Sequence, residues 1–257
     1  MAMKRRGRVA ILAGAALLAV QLIATPHAFA VFACTASPDA QQTARDEAFG
    51  RVDEALRSAL RTSPEARDRA LAALMETAPG SASSEPSARA AADAAPDDLL
   101  VQWIALHVAQ RASGDDEPML SRLTRYDSRN AAIWLEVLVR SAFLQDDAAV
   151  NDALDRMARS DHFDSRHAAL SGALAQAYER YGSPSAPVGD SSASTEYLSN
   201  RLATLDPFVA PVFAPLIAAC RAEPTGHRSA HRARDCEAVA RLLAREGEFA
   251  NVLSTCD

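Results

Sequence analysis

The chain has 257 residues, of which 57 are alanine and only 5% aromatic, and it carries a formal net charge of −6. Alanine at that level with so few aromatic side chains favours helices packed through small residues over a β-sandwich, and the acidic balance opposes phosphate-driven binding to nucleic acid. Lys4 is the only lysine, so removal of a leader excludes a phosphate-loop lysine, a Schiff-base lysine and a Ser-x-x-Lys nucleophile pair.

The N-terminus reads as an export signal. Lys4, Arg5, Arg6 and Arg8 are followed by an uncharged apolar run, Val9 to Ala24, and then by Pro26. Those 16 residues fall short of the roughly 20 needed for a membrane span. Two processing instructions overlap in HAFAVFACTAS, residues 27–37. Ala28-Phe29-Ala30 is an A-x-A cleavage site, predicting a signal peptide over 1–30 and a soluble periplasmic product. Val31-Phe32-Ala33-Cys34 is a lipobox, predicting a lipoprotein signal over 1–33 and a lipid anchor on Cys34 as the sole tie to a membrane facing the periplasm. Cleavage after Ala30 leaves cysteines 34, 220, 236 and 256, and this even number favours the soluble form; lipidation leaves Cys256 alone. Both routes predict export, and losing the four leader cations takes the charge from −6 to −10.

Residues 31–77 read as N-terminal helices. Ser37-Pro38 and Ser63-Pro64 each place a capping hydroxyl before a proline suited to a first helical turn. Phe49, Val52, Leu56 and Ala59 or Leu60 share one stripe. Residues 78–96, rich in Ala, Ser and Pro, read as a linker with room for a helical turn. Residues 97–182 contain an internal repeat at an offset of 31 residues. Trp103 corresponds to Trp134, Asp115-Asp116 to Asp146-Asp147, and Leu123 to Leu154. Each unit reads as a Trp-bearing helix, a Gly/Asp turn and a second helix, which must stack on a neighbour to bury its apolar face. Tyr126-Asp127-Ser128 recurs as Phe163-Asp164-Ser165. Residues 183–193 read as a loop and 194–257 as C-terminal helices, with Asp206-Pro207 opening a helix whose apolar face holds Phe208, Val209, Val212, Phe213, Leu216, Ile217 and Cys220.

With Trp early in the first helix, Leu three residues later and Gly at the turn, Trp103, Leu106 and Gly114 resemble the tetratricopeptide family, and Leu123 fits its large apolar position in the second helix. The second unit has Val137 for Leu and Gln145 for Gly, and the period is shorter than the family's usual 34 or so. The resemblance covers residues 97–182. It implies a stack of α-hairpins that binds peptides or partner proteins on its concave face, and it implies no catalysis.

The chemistry-bearing candidates each have a plainer reading. In CRAEPTGHRSAHRARDC, Cys220, His227, His231 and Cys236 are zinc-ligand types. The spacing matches no known finger, however, and in an oxidising compartment two cysteines 16 apart favour a disulfide. The same stretch carries Arg221, Arg228, Arg232 and Arg234, either a docking patch or a solvated loop. His162 and His167 flank what reads as an interhelical turn. The Asp pairs at 97–98, 115–116 and 146–147 read as helix caps. Trp103 and Trp134 line either a groove or, at helical spacing, the core.

The sequence therefore predicts an all-α protein, a tetratricopeptide-like α-solenoid or an irregular helical bundle, with a Cys220–Cys236 disulfide and no catalytic, cofactor or metal site. The expected role is an interaction or scaffold module holding an envelope protein or peptide. The alternatives are a structural helical domain and a metal-assisted hydrolase using His227 and His231.

Overall fold

A computed structural model describes residues 40–76, 84–182, 191–221 and 230–247. Both processing sites, Cys34, His227 and Cys256 lie outside them. Among the described residues the chain forms α1 (Ala40–Thr62), α2 (Ala66–Glu76), α3 (Glu85–Ala94), α4 (Leu99–Arg111), α5 (Glu117–Tyr126), α6 (Ala131–Phe143), α7 (Asp147–Ala158), α8 (His167–Tyr181), α9 (Ser191–Val209), α10 (Ala214–Cys220) and α11 (Ala230–Arg245). They include no β-strand, only an isolated bridge between Asn130 and His162. The all-α expectation holds. No described helix is long and apolar enough to cross a membrane.

Local chemistry starts these helices where hydroxyls and carboxylates stand. Ser63 Oγ accepts from the Glu65 amide at 3.2 Å and donates to Asp68 at 2.8 Å. Asp98 accepts from the amides of Leu100 and Val101, and Asp146 from those of Ala148 and Ala149, so each satisfies donors that a helix N-terminus leaves open. Asp116 holds the same position before α5 but makes no side-chain cap; it pairs with Arg140 at 3.3 Å instead. On α1 the stripe runs through buried Val52, Leu56 and Leu60, with Phe49 at its edge.

Two expectations need correction. The stretch 78–96 is not all linker: residues 85–94 form α3, which packs against α2 and α4. Ala88, Ala91 and Ala92 recur at helical spacing and are buried, and alanine lets helix axes approach closely at little entropic cost. Pro86 sits in the first turn, where no amide donor is required. Gln102 secures the far end by donating to the carbonyls of Ala92 and Ala95 at 2.7 and 2.9 Å. Nor does Asp206-Pro207 open a helix. α9 already begins at Ser191, within the stretch read as a loop, and continues to Val209 before the helix is interrupted at 210–213. Pro211 disfavours a helical conformation at Ala210, and Pro215 then starts α10.

The repeat is real in backbone terms, but its register is 32 in the first helix rather than 31. The caps Asp98 and Asn130 match, and α4 and α6 both have 13 residues. Each helix ends on a left-handed residue, Ser113 (φ 55°) or Gln145 (φ 57°). In each turn the next amide reaches back to close the helix, Gly114 to the Ala109 carbonyl at 2.8 Å and Asp146 to that of Ser141 at 2.9 Å, the Schellman arrangement. Trp103 is thereby equivalent to Leu135, not Trp134. Both Trp103 and Leu135 are buried. Trp134 faces outward enough to meet the Arg156 guanidinium 5.2 Å above its ring.

The helices also meet across long sequence separations, which an open solenoid with nearest-neighbour contacts does not require. α1 packs on α8. Asp68 of α2, 4% exposed, accepts from Tyr181 Oη at 2.9 Å and from Arg180 at 3.2 Å. Tyr197 of α9 donates to Asp53 of α1 at 2.9 Å and stacks on Tyr178 of α8 with ring centroids 5.0 Å apart. Burial and the adjacent Asp53 charge push the Tyr197 phenol well above its ordinary pKa, keeping it a neutral donor.

Candidate functional site

At the C-terminal ends of α4 and α6 lies a groove of about 660 Å³. The α4 Schellman turn forms one rim, α6 contributes Glu136, Val139, Arg140 and Phe143, and Ala210 and Val212 close it from the segment before α10. Its walls are apolar and unusually open to solvent: Phe143 is 86% exposed, Leu144 64% and Val212 53%. Large apolar side chains left clustered at a surface mark contact sites more often than chance.

The floor is polar. His107 is 5% exposed, and its Nε2 has no hydrogen-bond partner. Desolvation lowers its pKa, partly offset by the nearby Glu136 charge and the Gln110 amide, so the ring is neutral near pH 7. Glu136 is 6% exposed and takes one hydrogen bond, from Gln110 Nε2 at 3.2 Å. Among the described residues no basic side chain lies within ion-pair distance of Glu136, whereas Arg140 on the rim is held by Asp116 and Glu117. A second depression, of about 810 Å³, borders Arg67, Asp98 and Arg166. Its charges are already matched, with Arg67 to Asp98 at 2.7 Å and Arg166 to Asp127 and to Asp164, which leaves less for a ligand to satisfy.

The residues singled out from sequence fall elsewhere. Trp103 lies in the core against His107, with ring centroids 5.0 Å apart in an edge-on arrangement. Trp134 donates Nε1–H to the Ser128 carbonyl at 2.7 Å. Cys220 and Cys236 are joined, with Sγ atoms 2.07 Å and Cα atoms 5.7 Å apart, linking α10 to α11. His162 lies 3.6 Å from Asp127 in the turn network between hairpins. His231 pairs with Asp235 at 2.8 Å, and Asp155 of α7 completes a group whose ligand atoms lie within 4.8 Å of one another. Asp155 is also in contact with Arg159, so this cluster carries its own countercharges. Sequence reading missed Asp155 because it stands on another helix. It also missed His107 and Glu136, whose only signal was a polar residue set within an apolar run.

Comparison of the chain with protein-family models, curated proteins and solved structures found no match. Fold and groove together define a class, an all-α protein of packed helical hairpins with a half-apolar surface groove.

Proposed function

We propose that this protein is an exported, non-catalytic helical-repeat protein that serves as an interaction module of the cell envelope, holding a peptide segment of a partner protein in the groove between α4, α6 and the segment before α10. The observation that carries this reading is the exposed trio Phe143, Leu144 and Val212 around a groove whose floor retains an unpartnered imidazole nitrogen. Apolar walls supply affinity, and a few buried polar groups set orientation. The α4/α5 and α6/α7 hairpins, with their matching turns, support a tetratricopeptide-like origin. The basic start and apolar run of the N-terminus support export, as does the Cys220–Cys236 bond. Even cysteine parity supports the soluble form, with Cys34 unmodified.

Site-specific photo-crosslinking from position 143 in the exported chain tests the docking role. A discrete partner should be captured, and capture should be lost on Leu144→Asp but kept on Arg241→Asp, a substitution at an exposed position of α11. Equal capture by both variants would reject the groove as the docking site. Mass analysis of the mature N-terminus tests processing: an unmodified Val31 supports the soluble form, and a diacylglyceryl Cys34 replaces it with the lipoprotein.

A further inference from the structure

Resting on the docking role of this groove, we infer that its occupant presents a positively charged side chain, of the arginine or lysine type, flanked by apolar residues. The groove floor brings a carboxylate, Glu136, together with a neutral imidazole, His107. Glu136 brings a carboxylate into the protein with a single neutral amide as partner. A buried carboxylate without a cation is costly. Next to it, His107 lines the same groove with its Nε2 buried and unpartnered, and in the tautomer that carries the proton on Nδ1 that nitrogen is an acceptor. A guanidinium or ammonium group entering the floor gives the carboxylate its countercharge and Nε2 a hydrogen.

The walls fit the rest of such a side chain. Long cationic residues bury an aliphatic stem against apolar surface and keep a charged head at polar groups. Val139 and Val212 offer that surface, and the exposed Phe143 ring offers a face for a guanidinium. Arg140 does not supply the missing charge, because Asp116 and Glu117 engage it. The chain's acidic balance, −6 over the full sequence, adds long-range attraction for a basic partner.

The test uses the full exported chain and two tripeptides capped at both ends, Leu-Arg-Leu and its twin with citrulline, which keeps the shape of arginine without its charge. Binding is followed by NMR of the His107 imidazole and the Val139 and Val212 methyls, up to millimolar peptide. The arginine peptide should shift all three sets, with the citrulline peptide and the Glu136→Gln variant each weakening binding about tenfold or more, equivalent to about 1.4 kcal/mol. Tighter binding of the arginine peptide at low salt should accompany this. Equal binding of the two peptides, with both weakened by Phe143→Ser, keeps the docking role and overturns the cationic occupant. Absence of any shift with either peptide overturns the inference, and loss of photo-capture selectivity would then remove the docking role as well.

Discussion

Asn130 and Asp164 hold each other in both directions: Asn130 Nδ2 donates to the Asp164 carbonyl at 2.9 Å, and the Asp164 amide donates to Asn130 Oδ1 at 2.9 Å. Asn130 also accepts from the Ala132 amide at 3.1 Å, capping α6, and donates to Asp127 at 3.1 Å. A fully buried carboxamide thus has every donor and acceptor position engaged, and one side chain joins the turn before α6 to the turn before α8.

Asn130→Ala should cost about 3 kcal/mol, since it removes a cap and strands several buried groups. Asn130→Asp should be at least as damaging at neutral pH, because it loses both donors and sets a carboxylate beside Asp127. Part of that loss should return in acid as the new carboxyl gains a proton. Urea denaturation at two pH values checks both outcomes.

Ser113 and Gln145 carry the left-handed backbone at equivalent ends of α4 and α6. A side chain there costs about 1–2 kcal/mol, partly offset by the extra unfolded-state freedom of glycine. Ser113→Gly and Gln145→Gly should each stabilise by roughly 0.5–1 kcal/mol. Thermal melts of the single variants and the pair, with near-additive gains, would bear this out.

Asp68 joins α2 to α8 through Tyr181 and Arg180 while also accepting from Ser63. Asp68→Ala should destabilise by about 3 kcal/mol, because it removes the buried acceptor for the Tyr181 and Ser63 hydroxyls and the countercharge of Arg180. In a double-mutant cycle with Tyr181→Phe, a coupling below about 0.5 kcal/mol would count against a direct α2–α8 tie.

Reduction should expose two thiols at Cys220 and Cys236 and lower stability by about 3 kcal/mol, as expected for a closed loop of this length. In a Cys34→Ser/Cys256→Ser background, the further variant Cys220→Ser/Cys236→Ser should melt with the reduced form of that background and be insensitive to reductant. Free-thiol labelling of both cysteines in the unreduced exported protein would contradict the bond.

His107 supplies a pH dependence whose sign follows from its lowered pKa. The folded chain holds the ring neutral, while the unfolded chain takes up a proton below the ordinary value of 6.5. Stability from this group is therefore present above pH 6.5 and falls as pH drops towards the folded-state value, by up to about 1.4 kcal/mol per pH unit. His107→Phe should flatten that slope relative to wild type, measured as the urea midpoint between pH 5 and 8.

Much of the local architecture was legible. The Asp98 and Asp146 caps, the Val52, Leu56 and Leu60 stripe and the helical class follow from propensity and spacing, which act within one element. The repeat was visible too, but two tryptophans in similar surroundings drew its register one residue short. Trp103 is packed in the core, whereas Trp134 caps the Ser128 carbonyl at its edge. The groove was hidden. His107 and Glu136 lie on different helices, and no motif in the sequence marks Phe143 and Leu144.

By itself the sequence determined that the chain is helical, where several of the helices begin, and that Cys220 and Cys236 are close enough along the chain to pair. These follow from alanine's low entropic cost, from side chains that satisfy nearby backbone amides and from short loop length. Tertiary structure alone decided which faces meet: α3 packed against α2 and α4, α8 against α1, and a buried carboxylate set beside an unpartnered imidazole under apolar walls. A 3.6-residue period defines the apolar side of each helix, but the identity of the facing helix depends on how many elements fill one core together.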